Sequence, residues 1–281
     1  MVSVSVIVLI HNSEKTLSRC LNSLLKQDYS DFELVLVDDC STDNSLKIIG
    51  SYNDKRIQLV HNPKNFGIAK GRNIGIKNSQ GNLIFFTDSD CIPALNWLKE
   101  GIKTLGDNDI VTGWTLYENP LPTFKDRVVF GKDNFFTCNL GFKRSALEKV
   151  GGFDEQLSMY GEDKDICFRI LKTGGRKVFC ETMQVIHQTT TRRPRDELRR
   201  YTNYYLGKLN CHLRHGKEKD VIFRIVRPDD LAKIIFPPLF LLTKSFTSWN
   251  DFKLLPFTWL GMIRGRIRMW GEGIKTGKFY W

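Results

Sequence analysis

In the first 105 residues, strand-like apolar runs alternate four times with helical stretches, and that alternation limits the fold more than any other feature. Val2–Ile10 is β-branched and nearly continuous; Ser13 then stands in N-cap position before Leu17, Cys20, Leu21, Leu24 and Leu25 at helical spacing. Glu33–Val37 leads to a helix begun near Asp43, Ile57–Val60 to a helix over Gly67–Asn78, and Leu83–Thr87 to one around Leu95–Leu105. Strands that read as continuous apolar runs are buried on both faces, and helical crossovers make neighbouring strands parallel, so the class is α/β. Beyond residue 110 the alternation loosens. Ile110–Tyr117 reads as a strand, 119–122 as a Pro-marked loop and Phe135–Phe142 as a further strand. Ser145–Val150 and Asp163–Lys172 read as helices, with a closing strand at Met183–His187.

In an open sheet of this kind ligands sit outside the carboxyl ends of the strands. Those ends carry Ile10-His11-Asn12, Asp38-Asp39, His61-Asn62 and Asp88-Ser89-Asp90. Side chains two apart on extended backbone share a direction, so Asp88 and Asp90 can hold Mg²⁺ or Mn²⁺, hard cations that prefer carboxylate oxygen. Taken alone, such a triplet is more often a solvated turn; its place at a strand end favours the metal reading. Asp43 is available to cap the second helix, which leaves Asp39 for a nucleobase edge or a ribose. Arg72 lies in a glycine-broken stretch where a guanidinium can meet phosphate with fork geometry. Asp163, at a helix start, is a candidate base for an acceptor hydroxyl. His187 ends a strand, where a neutral imidazole can complete a metal site. The segment after it, 188–195, reads as a basic lid whose Arg192 and Arg193 face a departing diphosphate.

These pieces, in this order, resemble the family 2 glycosyltransferases with the GT-A fold. The matching residues are Val4–Asn12, Val35–Asp39, Gly67–Asn73, the Asp88/Asp90 pair, Val150–Glu155, Gly161–Asp165 and His187, so the resemblance covers about residues 2–190. It implies a Rossmann-like, mainly parallel sheet flanked by helices, with a nucleotide-binding half up to about residue 110 and an acceptor half from 111 to 190. It further implies that Asp39 and Arg72 contact the nucleotide, that Asp90 binds the metal with Asp88 nearby, and that Asp163 is the base of an inverting transfer. Ile10, His11, Asn12 and Asp88 join the nucleotide set, and Trp114, Asn139, Asp154 and Glu162 are the acceptor-side candidates. Family members often carry Tyr-Asn after the first strand; this chain has His11-Asn12, and an imidazole still stacks on a base. Family habit suggests a UDP-sugar, while GDP and dTDP donors stay open, with a glycan or lipid-linked glycan as acceptor.

Charge separates the rest of the chain from this part. Residues 1–187 hold 23 Lys+Arg against 23 Asp+Glu, whereas 188–281 hold 19 against 8 and carry the whole net +11. Basic residues there interleave with Trp249, Trp259, Trp270 and Trp281, and a helix is expected over 194–215. A mostly helical extension over 191–281 that rests on an anionic membrane surface accounts for both features, with Arg264, Arg266 and Arg268 at head groups. The apolar run Ile234–Leu242 contains two prolines and falls well short of the ~20 residues needed to span a bilayer. Seven cysteines without a CxxC pair read as reduced thiols, and the N-terminus opens into a strand without a basic leader, so the expected place is the cytosolic face of the membrane. Nucleic acid is not an expected partner, because no helix-turn-helix, zinc or RNA-recognition pattern accompanies the basic tail. Two other functions share the carboxylates: a nucleotidyltransferase, which usually needs a Gly- and Lys-rich phosphate loop that Ile7–Leu17 lacks, and a nucleotide-sugar-binding module, which has no use for an acid at Asp163.

Overall fold

The computed structural model describes residues 3–118, 128–130, 135–157 and 161–188, together with 260, 263, 264 and 267. Two compact units divide the chain: Met1–Asn119 with Val128–Ser158 and Asp163–Thr189, and Pro120–Arg127 with Met159–Glu162 and Thr190–Trp281. Of the second unit's residues beyond 188, only Leu260, Ile263, Arg264 and Ile267 are described, all helical. The expected loop at 119–122, the helix at 194–215 and the lid arginines Arg192 and Arg193 lie outside the described residues.

The elements of the first unit follow the alternation read from the sequence. They are β1 (Val4–Ile10), α1 (Leu17–Leu25), β2 (Phe32–Asp38), α2 (Ser45–Gly50), β3 (Ile57–His61), α3 (Ile68–Lys77), β4 (Leu83–Asp88), β5 (Cys91–Pro93), α4 (Trp97–Leu105) and β6 (Ile110–Tyr117). There follow β7 (Val128–Phe130), a 3-10 turn (Thr137–Asn139), β8 (Leu140–Lys143), α5 (Arg144–Lys149), α6 (Glu162–Lys172) and β9 (Lys177–His187). One sheet runs β3-β2-β1-β4-β8-β6-β9-β5, with β7 on β6. The first four strands are parallel; β8 runs antiparallel to both β4 and β6, β9 is parallel to β6, and β5 is antiparallel to β9.

Period-two alternation assigns each strand residue to a face. Val4, Val6, Val8, Ile10, Leu34, Leu36 and Phe85 pack with Leu17, Leu21, Ile49, Trp97 and Leu105, so α1, α2 and α4 cover one side. Ile7, Val35, Val37, Ile84 and Phe86 pack with Ala69, Leu147, Ile166 and Ile170, so α3, α5 and α6 cover the other. Both faces of β1, β2 and β4 are thus largely dry, the condition under which parallel strands persist.

Local details differ from the sequence reading. Ser13 does not cap α1 with its side chain; its carbonyl accepts the N–H groups of Thr16 and Leu17, and its hydroxyl pairs with Ser89 instead. Asp43 does receive the N–H of Ser45, and also that of Glu14. Burial opposes its ionisation, yet these bonds and the Ser45 hydroxyl win, so its carboxyl lies below the ordinary range. The expected strand Phe135–Phe142 divides into a buried approach, the 3-10 turn and the shorter β8, while β9 starts six residues before Met183.

Candidate active site

Register brings the first group of candidates together. In β1, Ile10 lies opposite Asp38 of β2, and Leu9 opposite Asp88 of β4. Because β1 lies between β2 and β4, the chain reverses its strand order here, and the crevice opens at their carboxyl ends. Two connecting loops line it. Asn12 adopts a left-handed conformation (φ 53°), and its side-chain oxygen accepts the N–H and hydroxyl of Thr42 at 2.8 and 3.2 Å. His11 places Nδ1 2.9 Å from the Asp39 carbonyl and, like Asn12, is exposed.

Asp39 is buried, and its carboxylate accepts Nδ2 of Asn62 and the N–H groups of Phe66 and Gly67, each at 2.9 Å. Gly67 has φ 85°, open to glycine at little cost, so this carboxylate shapes the loop that launches α3. Asp38 is fully buried; its Oδ2 faces Nδ1 of His61 at 2.8 Å. Arg72 is brought to the same crevice because Gly71 and Gly75 let α3 lie close against Leu9 and Ile7 of β1. Its guanidinium stacks over Phe153, 5.7 Å from the ring centre, and donates to Oδ1 of Asp88 at 3.2 Å.

The turn after β4 is held from several sides. Ser89 shares a 2.7 Å hydroxyl bond with Ser13, and the Cys20 thiol donates to the Asp88 carbonyl at 3.5 Å. Oδ2 of Asp90 lies 3.5 Å from Nε2 of His187, and the Asp90 carbonyl accepts the N–H of Gln188 at 2.8 Å. Desolvation raises the Asp90 carboxyl from its ordinary value; His187 opposes the shift and Asp88 adds to it. Nδ1 of His187 lies 3.1 Å from the Gln188 carbonyl, an orientation that turns Nε2 toward Asp90. Ligand atoms of Asp90, His187 and Cys91 lie within 4.8 Å of one another, with Asp88 at the same strand end, and a carboxylate with an imidazole nitrogen agrees with a divalent metal here.

His187 reaches Asp90 through a bulge that the sequence reading missed. Strands β6 and β9 pair up to Gly113 opposite Cys180, and pairing resumes with Trp114 opposite Gln184. Glu181, Thr182 and Met183 loop out between. The carbonyl of Met183 lies where a side chain on Gly113 would stand, which explains the glycine. Past the bulge, Val185–His187 pairs with both β6 and β5, bringing His187 opposite Cys91.

Two of the expected acceptor residues serve this bulge. Asn139 is 2% exposed; its amide donates to the carbonyls of Trp114 (2.9 Å) and Met183 (3.2 Å) and accepts the indole N–H of Trp97 (2.8 Å). It fastens the bulge. The Trp114 indole donates to Glu181 at 2.7 Å, although part of its ring is exposed.

The remaining candidates lie on α6 and the loop 150–155. Gly151 and Gly152 both have positive φ, 74° and 72°, and fold that loop onto α3, where Asn73 bonds the Phe153 N–H and carbonyl at 2.8 Å each. Oδ1 of Asp154 accepts the Gln156 N–H. Arg169 of α6 donates to the carbonyls of Val150 and Gly152, tying helix and loop together. Glu162 is buried in the first turn of α6. Asp163 is half-buried one residue on, where Oδ1 accepts the N–H of Lys164 at 2.7 Å. Burial first, and then the charge of Asp163, push the Cys167 thiol well up.

Comparison with known proteins bears on family and fold. Residues 5–155 match Glycosyl transferase family 2, and residues 96–271 match Glycosyl transferase family group 2. An uncharacterized glycosyltransferase of Haemophilus influenzae is 39% identical over 110 residues, 38% of this chain and 44% of that protein. The UDP-Glc:alpha-D-GlcNAc-diphosphoundecaprenol beta-1,3-glucosyltransferase WfgD of Escherichia coli is 37% identical over 115 residues, 41% of this chain and 46% of that one. The chain thus matches less than half the length of these relatives. Among solved structures, the Pyrobaculum calidifontis mannosyltransferase in complex with GDP-Man and Mn²⁺ gives a TM-score of 0.65 at 20% identity, covering 95% of this chain and 86% of that one. Staphylococcus aureus TarS 1–349 with UDP-GlcNAc gives 0.58 at 20% identity, covering 99% and 93%. The likeness at that identity is one of fold, and the fold is GT-A. With more than half of its residues within the first match, the chain belongs to glycosyl transferase family 2.

Proposed function

We propose that this protein is an inverting glycosyltransferase that takes a sugar from a nucleotide-diphosphate donor, a UDP-sugar, and passes it to a lipid-linked or polysaccharide acceptor. The observation that carries the reading is the meeting of Asp88, Asp90, Arg72 and His187 at the carboxyl end of β4, beside the crevice between β1 and β4. Nucleotide recognition falls to Ile10, His11 and Asn12 at the rim, with Asp39 holding the 62–67 loop in place and offering its remaining acceptor capacity to the nucleoside. The relatives support the substrate classes: WfgD is named for a UDP-Glc donor and a diphosphoundecaprenol-linked sugar, and TarS 1–349 was solved with UDP-GlcNAc.

Asp90, His187 and Asp88 would hold a divalent cation, which would supply positive charge for the donor diphosphate. Arg72 then exchanges its bond to Asp88 for phosphate oxygens, adding a fixed positive charge where the leaving group gathers negative charge. Asp163 accepts the proton of the acceptor hydroxyl while that oxygen bonds to the anomeric carbon. The bond from that carbon to the diphosphate oxygen breaks on the opposite side, and the nucleoside diphosphate departs with the electron pair. Asp154, Glu162 and the exposed part of Trp114 border the acceptor, and Arg192 and Arg193 serve as the lid.

The basic, aromatic extension holds the protein at an anionic membrane face, where a lipid-linked acceptor resides. Exposed Leu260 and Ile267 support that placement, and no helix among the described residues is long and apolar enough to cross a membrane. Co-sedimentation with anionic liposomes tests it; protein left in the supernatant rejects it.

The deciding experiment for the activity is a panel of UDP-, GDP- and dTDP-sugars with and without Mn²⁺, scored for nucleotide release and, by calorimetry, for donor binding. Asp163→Asn is expected to lower turnover by about 100- to 10,000-fold, the usual share of a general base, with donor affinity unchanged. Full turnover in that variant removes Asp163 from the mechanism. Tight donor binding without any turnover in the native chain supports a nucleotide-sugar-binding protein instead.

A further inference from the structure

Beneath the turn after β4 lies a set of sulfur donors that the transfer reaction does not use. Cys91, the first residue of β5, is fully buried with its thiol 3.6 Å from Oδ1 of Asp90. The thiol of Cys138, which sits in the 3-10 turn and is 4% exposed, is gathered at the same corner. One ligand atom from each of Asp88, Cys91 and Cys138 lies within 4.8 Å of the others. Topology brings them together: Asp88 ends β4, β5 begins three residues later, and the Thr87 hydroxyl anchors the 3-10 turn through the Cys138 carbonyl at 2.9 Å.

Sulfur changes which cation this corner prefers. Mg²⁺ and Mn²⁺ favour the oxygen and imidazole donors of Asp88, Asp90 and His187, whereas Zn²⁺ and Cd²⁺ favour thiolates and accept a tetrahedron of mixed sulfur and oxygen ligands. We infer that Cys91, Cys138 and Asp88 form a thiophilic-cation site, and that Zn²⁺ or Cd²⁺ bound there inactivates the neighbouring nucleotide site. Each thiol gives its proton to solvent as its sulfur bonds the cation, the Asp88 carboxylate supplies the third ligand and water the fourth. Since Asp88 has its side chain 37% exposed, a cation enters from that side. Inhibition follows because Asp88 is shared: a carboxylate drawn toward the two sulfurs is withdrawn from Arg72, now 3.2 Å away. Hard and soft cations therefore have opposite effects on one protein. The inhibitory half of this inference rests on the transferase reading; the binding half does not.

Titration of the full chain with Cd²⁺, followed by sulfur-to-cadmium charge-transfer absorbance, tests binding without any substrate. A saturating band is expected that disappears in the double variant Cys91→Ser/Cys138→Ser and persists in Cys180→Ser, a buried thiol elsewhere in the fold. Circular dichroism checks that the double variant is folded. Should it not fold, Cys138→Ser alone must weaken the band, and Asp88→Asn must lower Cd²⁺ affinity with both sulfurs in place. No band, or an undiminished band without the two sulfurs, overturns the site. For inhibition, Zn²⁺ added in the presence of excess Mn²⁺ is expected to abolish sugar transfer by the native chain but not by the double variant; equal loss in both overturns that half. A native chain that transfers no sugar from any donor tells against the transferase reading, while the cadmium band still decides the site.

Discussion

The parallel half of the sheet, residues 4–88, and the mixed half, residues 91–187, reach the same site by different means. In the first, each candidate residue sits where its own strand ends, and strand register alone aligns Ile10, Asp38 and Asp88. In the second, His187 arrives at Asp90 because a bulge opposite Gly113 re-aims the last three residues of β9. Local strand–helix units bring the first group of candidates together; the Asp90–His187 corner depends on backbone contacts between residues far apart in the chain. Substitutions in the mixed half should therefore disturb both stability and the metal corner, while comparable ones in the parallel half should disturb little.

The largest expected effect comes from Gly113→Ala. Its new methyl group would collide with the backbone carbonyl of Met183, which cannot swing away as a side chain can. Overpacking against backbone belongs at the upper end of the usual range, so a loss of about 3 kcal/mol is expected in urea unfolding. Any variant that stays folded should also lose Mn²⁺ affinity, because His187 is no longer delivered. Gly75→Ala is the matching test in the parallel half. There the methyl meets Cγ2 of Ile7 at 2.5 Å, a side-chain atom that can shift, and alanine is the better helix former. The two effects offset, and the net change should stay within about 1 kcal/mol. Equal losses at the two glycines would erase the contrast between the halves.

The same contrast explains what the sequence made legible. In the parallel half apolar runs and their terminal polar residues are contiguous, so β1 to β4 and α1 to α3 lie close to their expected places. Asp39 follows directly on β2, but its three hydrogen bonds to Asn62, Phe66 and Gly67 depend on a loop geometry that spacing does not encode. In the mixed half, β5 is three residues long and exists only because β9 pairs with it, so no local pattern could announce it. Phe135–Phe142 has the composition of one strand, yet the Asn139 amide requires a turn in the middle of it to meet Trp97, Trp114 and Met183. An asparagine near glycines looks the same in sequence whether it binds a sugar or a bulge. Gly113 within the apolar run of β6 was the available signal, since an isolated glycine in a strand often marks a bulge.

Asn139→Ala is expected to have the next largest effect. It leaves the Trp97 indole N–H and the carbonyls of Trp114 and Met183 without their present partner in a buried setting. Unsatisfied buried groups cost about 1–3 kcal/mol, and thermal unfolding measures it. Asn44→Ala removes an amide of similar size from the exposed start of α2, where its Nδ2 meets only Glu14. Water replaces that partner, so a change within about 0.5 kcal/mol is expected. A loss at Asn44 as large as that at Asn139 would mean that the parallel half also relies on side-chain clamps.

The smallest effect tests whether electrostatics hold the parallel half together. Before β3, Asp54 and Arg56 form a clip between residues two apart, at 2.7 Å, and Arg56 also donates to the Leu25 carbonyl at 2.9 Å. The Arg56 side chain, and then its N–H, hold the Asp54 carboxyl down to about 2, from an ordinary 3.8. A carboxyl depressed in the folded state adds stability that is complete above 3.8 and is lost as pH falls through about 2. Both side chains are partly exposed, at 24% and 19%, so solvent screening limits the gain to about 1 kcal/mol or less. Urea midpoints of the native chain and Asp54→Asn, compared from neutral pH into acid, should differ by a constant amount and then converge below 3.8. A gap that widens in acid reverses the sign and removes the clip as its cause. A gap of several kcal/mol would instead make charge, rather than the dry packing of β1 to β4, the basis of this half's tolerance.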